Sequence, residues 1–219
     1  MSETGSVKFK CERVEATLAR FAGFDELNDC RRKLLDLGMV GVDANGVGFG
    51  NLSVRGGTNL SRFYITGSGT GGITELKPTD CARVVAWDFG KNWLRCEGST
   101  VASSESLTHA AVYECDPTAR AVIHCHDLKL WTALLNKVPT TSKSAKYGTP
   151  EMARAARRLF QRSDVKRARI FVMAAHEGGI VTFGNDLQEA FGILKRTKAE
   201  IGNGKPETRT ARLRKKLGS

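Results

Sequence analysis

Residues 119–126 read Ala119-Arg120-Ala121-Val122-Ile123-His124-Cys125-His126, an apolar run that ends on two histidines one residue apart. A short apolar, β-branched run following a turn signal such as Asp116-Pro117 is the pattern of a buried strand. Alternate side chains of a strand share a face, so His124 and His126 project together while Cys125 turns the other way, into a core. A third histidine follows a second apolar run, Ile170-Phe171-Val172-Met173, in the stretch Ala175-His176-Glu177-Gly178. If these strand ends are neighbours, three neutral imidazoles meet, which is the donor set of a zinc site whose fourth position is left to substrate or water. A single buried histidine is more often a satisfied core residue; it is the second run that favours a metal.

Working outward, the stretch Ser103-Ser104-Glu105 precedes this strand. Ser104 has the character of a helix N-cap, and a helix is predicted from Glu105 to about Glu114, ending before Asp116-Pro117. A glutamate at a helix start commonly does no more than complement the dipole. With Ser103, Ser104 and the free N–H groups of the first turn, however, that start is also an anion site of the kind that holds phosphate. His109, four residues on and on the same side of the helix, reads as an inward structural histidine.

Two glycine-rich stretches lie at strand ends. Gly41 to Gly50 leads into a short strand, Asn51-Leu52-Ser53-Val54-Arg55, and a strand over Arg62 to Thr66 enters Gly67-Ser68-Gly69-Thr70-Gly71-Gly72. Neither matches a dinucleotide fingerprint or a phosphate loop with its lysine. A hairpin is expected from Cys81–Asp88 and Trp93–Cys96. Residues 8–38 read as one or two amphipathic helices stopping at Gly38, with further helices at 128–135, 151–161 and 187–200, strands at 169–173 and 180–183, and a loop from Asn136 to Gly148. The glycine-rich hairpin region favours antiparallel pairing, hence an α/β sandwich over a doubly wound sheet.

The chain of 219 residues is the size of one domain, here 1–201, followed by a basic tail, 202–219, expected to be disordered. No apolar run reaches membrane-spanning length, and the first residues, Met1-Ser2-Glu3-Thr4-Gly5-Ser6, lack the apolar core of a signal peptide, so a cytoplasmic address is expected and no membrane. Six cysteines with no Cys-X-X-Cys pair read as free thiols. The formal charge of +11 draws anions, but its excess sits in Arg154–Arg169 and Lys195–Lys216, without the interleaved aromatics of a base-stacking surface. This argues against nucleic acid and for a small anionic partner.

The order Gly50-Asn51-Leu52-Ser53-Val54-Arg55, Ile65-Thr66-Gly67-Ser68-Gly69, Ser103-Ser104-Glu105, His124-Cys125-His126 and His176 resembles the class II aldolase/adducin family, to which the fuculose-1-phosphate aldolases belong, from about Leu27 to Lys195. The resemblance implies a three-layer α/β/α sandwich with a central, largely antiparallel sheet. It also implies Zn2+ on His124, His126 and His176, with Glu105 as the catalytic carboxylate. A substrate phosphate would be cradled by Asn51, Ser68, Gly69, Ser103 and Ser104. It implies a four-fold homotetramer with sites at subunit interfaces, and a lyase that cleaves or forms a carbon–carbon bond in a small phosphorylated ketose through an enediolate. Pentulose-phosphate epimerisation, sugar-phosphate dehydration and decarboxylation can use the same site, and the adducin branch keeps the fold as a non-catalytic scaffold. The chain departs from the family pattern in a shorter segment from Pro139 to Gly148, where Tyr147 is out of register with the family tyrosine. It also departs in Gly48, where the family has threonine, and in Glu177-Gly178-Gly179 after His176.

Overall fold

A computed structural model describes residues 9–56 and 60–202, so most of the tail expected to be disordered, from residue 203 on, lies outside the described residues. The apolar run of 119–126 forms β8 (Ala121–His126). It lies between β4 (Asn51–Val54) and β10 (Gly179–Gly184), antiparallel to both. Beyond β10 comes β9 (Ile170–Val172). Beyond β4 come β5 (Phe63–Thr66), β6 (Cys81–Asp88), β7 (Trp93–Glu97) and, at the edge, β1 (Lys10–Val14). Among the strand pairs of the described residues, only β1–β7 is parallel.

Period-two alternation sorts the sheet's side chains into two cores. On one face Val122, Val181, Phe183, Phe63 and Leu94 pack under α2 (Ser106–Cys115), α4 (Pro150–Arg162) and α5 (Val165–Ala168). On the other, Leu52, Ile123, Cys125 and Ile180 pack under α1 (Phe24–Asp36), α3 (Leu128–Leu134) and α6 (Leu187–Gly202). The expected three-layer sandwich with a largely antiparallel sheet is therefore the fold, and Cys125 lies in a core. Helix α2 is buried from Ser106 through Tyr113 on every side, as its apolar content all round requires. No helix of the described residues is long and apolar enough to cross a membrane.

Two sequence expectations are corrected. Residues 8–38 are not all helical: Lys10–Val14 is an edge strand, and helix begins only at Phe24. Phe9 and Cys11 turn inward while Lys10 and Glu12 stay exposed, a short alternation over residues 9–12 that the apolar residues of the following helix obscured. A pairing partner 83 residues away, secured by Arg95 against Glu12, overrides local helix propensity. The expected stop at Gly38 does occur, with Gly38 N–H donating to Leu35 O and Met39 N–H to Leu34 O. Ser104 is not the cap of α2, because Glu105 occupies the N-cap position and Ser103 Oγ accepts from Glu105 N–H at 3.4 Å.

Between α1 and β4 the chain makes a small hairpin, β2 (Gly41–Val42) and β3 (Gly48–Phe49), closed by Asp43 Oδ1 accepting from Asn45 and Val47 N–H. It lies directly on the second glycine loop. A Cβ on Gly71 would collide with the carbonyl oxygen of Gly41 and come within 2.8 Å of Gly48 Cα, so only glycine permits this approach of two backbones. Gly71→Ala should cost about 1–3 kcal/mol in urea unfolding, the usual range for overpacking against immovable atoms. A variant as stable as the parent would show that hairpin and loop are not in contact.

Candidate active site

The ladder around β8 places the three histidines. Asn51 pairs with His124, and His126 pairs with Gly179, across the two flanking strands. His176 lies in the turn from β9 to β10, held by His176 N–H to Met173 O and Gly179 N–H to His176 O. One nitrogen from each of His124, His126 and His176 lies within 4.8 Å of the others. Gly179 makes room for them, since a Cβ there would sit 2.9 Å from His176 O and 3.4 Å from His124 Nε2.

These imidazoles suit a metal as donors. Burial, with His126 and His176 nearby, holds the His124 pKa well below its usual value, and burial brings that of His126 down to about 4, so both rings are neutral at physiological pH. The Nε2 atoms of His124 and His126 are buried with no hydrogen-bond partner among the described residues, which fits both as metal donors. For Nε2 of His124 to offer its lone pair, Nδ1 must carry the proton and needs an acceptor. Asn51 is that neighbour, with its side-chain amide 3.3 Å from His124 Nδ1 and its Oδ1 otherwise without a hydrogen bond. Turned so that the oxygen faces the ring, the amide would accept from Nδ1 and hold that tautomer.

Glu105, 2% exposed, stands beside this cluster with Oε1 3.8 Å from His176 Nδ1. Its other oxygen accepts from Thr108 Oγ1 at 2.7 Å, which fixes the plane of the carboxylate. His109 stands apart from the metal cluster. Its Nδ1 is 2.7 Å from Ser53 Oγ, which also meets Tyr113 OH at 2.8 Å, and burial lowers its pKa to about 3, the condition of a neutral structural histidine.

The glycine loop and the start of α2 are side by side because Gly67 bridges to Ala102 and Ser68 N–H donates to Val101 O. Asn51, Ser68, Gly69, Ser103 and Ser104 therefore line one cavity of about 800 Å³ together with Glu105 and the three histidines. Two further walls are marked in the sequence only as departures from the family pattern, at Gly48 and at Tyr147. The hairpin of β2 and β3 contributes Asp43, Val47 and Phe49. Tyr147 stacks on His176 at 4.4 Å between ring centroids, delivered by a segment anchored through Thr141 N–H to Val172 O and Ala174 N–H to Thr141 Oγ1. A tyrosine in an irregular loop gives no periodic signal; its nearness to His176 exists only in three dimensions.

Asn51→Ala should weaken divalent-metal binding about 10–100-fold, the usual cost of removing a group that orients a ligating imidazole. A cobalt titration read by its visible spectrum measures this, and unchanged affinity would remove Asn51 from the support of His124.

The description of the family model that matches residues 26–197 is "Class II Aldolase and Adducin N-terminal domain". Comparison with curated protein sequences finds no match. Among solved structures, the chain resembles YgbL from Klebsiella pneumoniae, for which an aldolase/epimerase/decarboxylase activity is only proposed (20% identity, TM-score 0.61, 85% of this chain and 92% of that one). It also resembles an L-fuculose 1-phosphate aldolase (23%, 0.61, 90% and 88%) and a sugar-phosphate aldolase from Thermotoga maritima (17%, 0.59, 84% and 97%). At these identities the neighbours establish the fold, while the family match spans most of the sequence: the chain belongs to the class II aldolase and adducin N-terminal domain family.

Proposed function

We propose that this protein is a zinc-dependent lyase of the class II aldolase type, acting on a small phosphorylated ketose through an enediolate. The observation that carries this reading is the convergence of three imidazoles and a buried glutamate on one cavity that is also lined by a glycine–serine cradle. His124, His126 and His176 would hold a divalent cation, which would supply a Lewis acid beside the negative charge that develops on the substrate's oxygens. Glu105 takes a proton through Oε1 and returns it, while Thr108 holds Oε2 in place. Asn51, Ser68, Gly69, Ser103 and Ser104 hold the phosphate, fixing the reacting carbon at a set distance from Glu105. Tyr147 covers one face of the His176 ring and keeps water from it.

Epimerisation, dehydration or decarboxylation on the same site is the second reading. It is favoured by the loop at 139–148, which forms a wall of the cavity through Tyr147 and differs from the family pattern, and by the description of the YgbL neighbour. An adducin-like scaffold role is disfavoured by the intact metal set and Glu105. Assembly as a homotetramer, with the cavities at subunit interfaces, is supported by the apolar rim. Leu37 and Leu128 are 47% and 56% exposed at the cavity mouth, and Val42 and Ile73 are exposed beside the glycine loop. Six free cysteines suit a reducing, cytoplasmic setting.

Purified protein should contain about one zinc per chain, run as a tetramer in light scattering, and convert a ketose phosphate in a metal-loaded screen read by mass. Aldol cleavage splits the carbon chain, epimerisation conserves mass, dehydration loses water and decarboxylation loses carbon dioxide. Glu105→Gln should keep the metal and lose at least about 100-fold in turnover. Absence of any bound divalent ion, with no turnover when metal is added, would sink the enzymatic reading.

A further inference from the structure

Helix α1 holds a buried arginine at the back of the cradle. Arg31 is 3% exposed, and its guanidinium donates to the carbonyl oxygens of Thr70 at 2.7 Å, Gly71 at 2.9 Å and Ile73. Thr70 and Gly71 line the cavity; Arg31 does not, so the charge sits one peptide layer behind the wall. Burial pulls its pKa below the ordinary arginine value, with Cys81 and Asp80 nearby opposing that, and its contacts at hydrogen-bond range are carbonyl dipoles. A desolvated cation is a costly way merely to pin a loop. The same helix already pins this loop without charge, one turn earlier: Asn28 Nδ2 donates to Leu76 O at 2.9 Å and Asn28 Oδ1 accepts from Leu76 N–H at 3.0 Å.

We propose that Arg31 is a positioning residue for the substrate's phosphate, aiming the 70–73 loop and placing a fixed positive charge behind the cradle without touching the ligand. In a planar trans peptide the N–H lies opposite the C=O, so carbonyls drawn onto Arg31 turn the Gly71 and Gly72 N–H groups away from α1. Bonding to a cation also polarises those peptides. A charge buried behind one layer of backbone is screened little by salt, and arginine alone combines a permanent charge with a fork that spans several carbonyls. This inference rests on the phosphate reading of the cavity given above.

Titration of the zinc-loaded full chain with inorganic phosphate, followed by 31P NMR, tests it. Arg31→Gln should weaken phosphate binding about tenfold, or about 1.4 kcal/mol, while cobalt binding at the histidines stays unchanged. Asn28→Ala, which loosens the same loop but keeps the charge, should lose less than about threefold on that scale. Arg31→Lys should stay near the parent at pH 7.5 and then lose phosphate as the pH is raised to 10, because a buried ammonium gives up its proton where a guanidinium does not. Parent protein that binds no phosphate would defeat both the phosphate reading and this inference. Parent protein that binds it, with Arg31→Gln binding equally, would defeat this inference alone, as would equal losses in the Gln and Asn28 variants. If the Gln variant does not fold, the Lys variant decides: a pH profile parallel to the parent's overturns the proposal.

Discussion

The backbone ladder that locks Ala121–His126 between two antiparallel neighbours is the constraint on which the rest of the molecule depends. A strand has only two faces, and a slip of one residue would exchange them, sending the histidines into the α1 layer and Ile123 and Cys125 into the site. Pairing on both sides forbids that slip. It also fixes which main-chain neighbours each histidine meets: Asn51 opposite His124 on one side and a glycine opposite His126 on the other. The histidine cluster and the turn geometry beside it thus follow from one register.

The electrostatics of the site come in layers. Three of the chain's four histidines line it, and burial keeps His124 and His126 neutral, as it does the structural His109. The lone pairs of His124 and His126 are therefore available to a cation. Glu105 brings one carboxylate into the same dry region, with a hydroxyl on one of its oxygens. The start of α2 lies beside a glycine loop whose backing charge is on α1, so the carboxylate, the histidines and the loop share a single cavity.

Much of this was legible in the sequence because it was local or periodic. Alternation in 119–126 gave the strand and the shared face of its two histidines; the glycine runs and Ser103-Ser104-Glu105 marked strand and helix ends; the hairpin over Cys81–Glu97 and the α2, α4 and α6 helices lie where their periodicity put them. What escaped was non-local. β1 is a strand only because β7 is available to pair with it. Arg31 reads in sequence as one more charge on an amphipathic helix, since nothing in its neighbours announces that carbonyls some forty residues away will surround it. Tyr147 and the hairpin of β2 and β3 are loop features whose positions are set by tertiary anchoring, not by propensity.

Helix α2 has no solvent-facing side from Ser106 to Tyr113, and Glu105 stands at its start. Almost any substitution along it would have to be accommodated inside a packed core, so the wall that carries the carboxylate has little freedom to vary. The facing walls are of the opposite kind, a small hairpin and an anchored loop at the surface, where insertions and exchanges are cheap. A lineage built on this plan would keep its proton-transfer machinery frozen while exploring new substrates through Asp43, Phe49 and Tyr147, and differences in specificity among its descendants should be sought there before anywhere else.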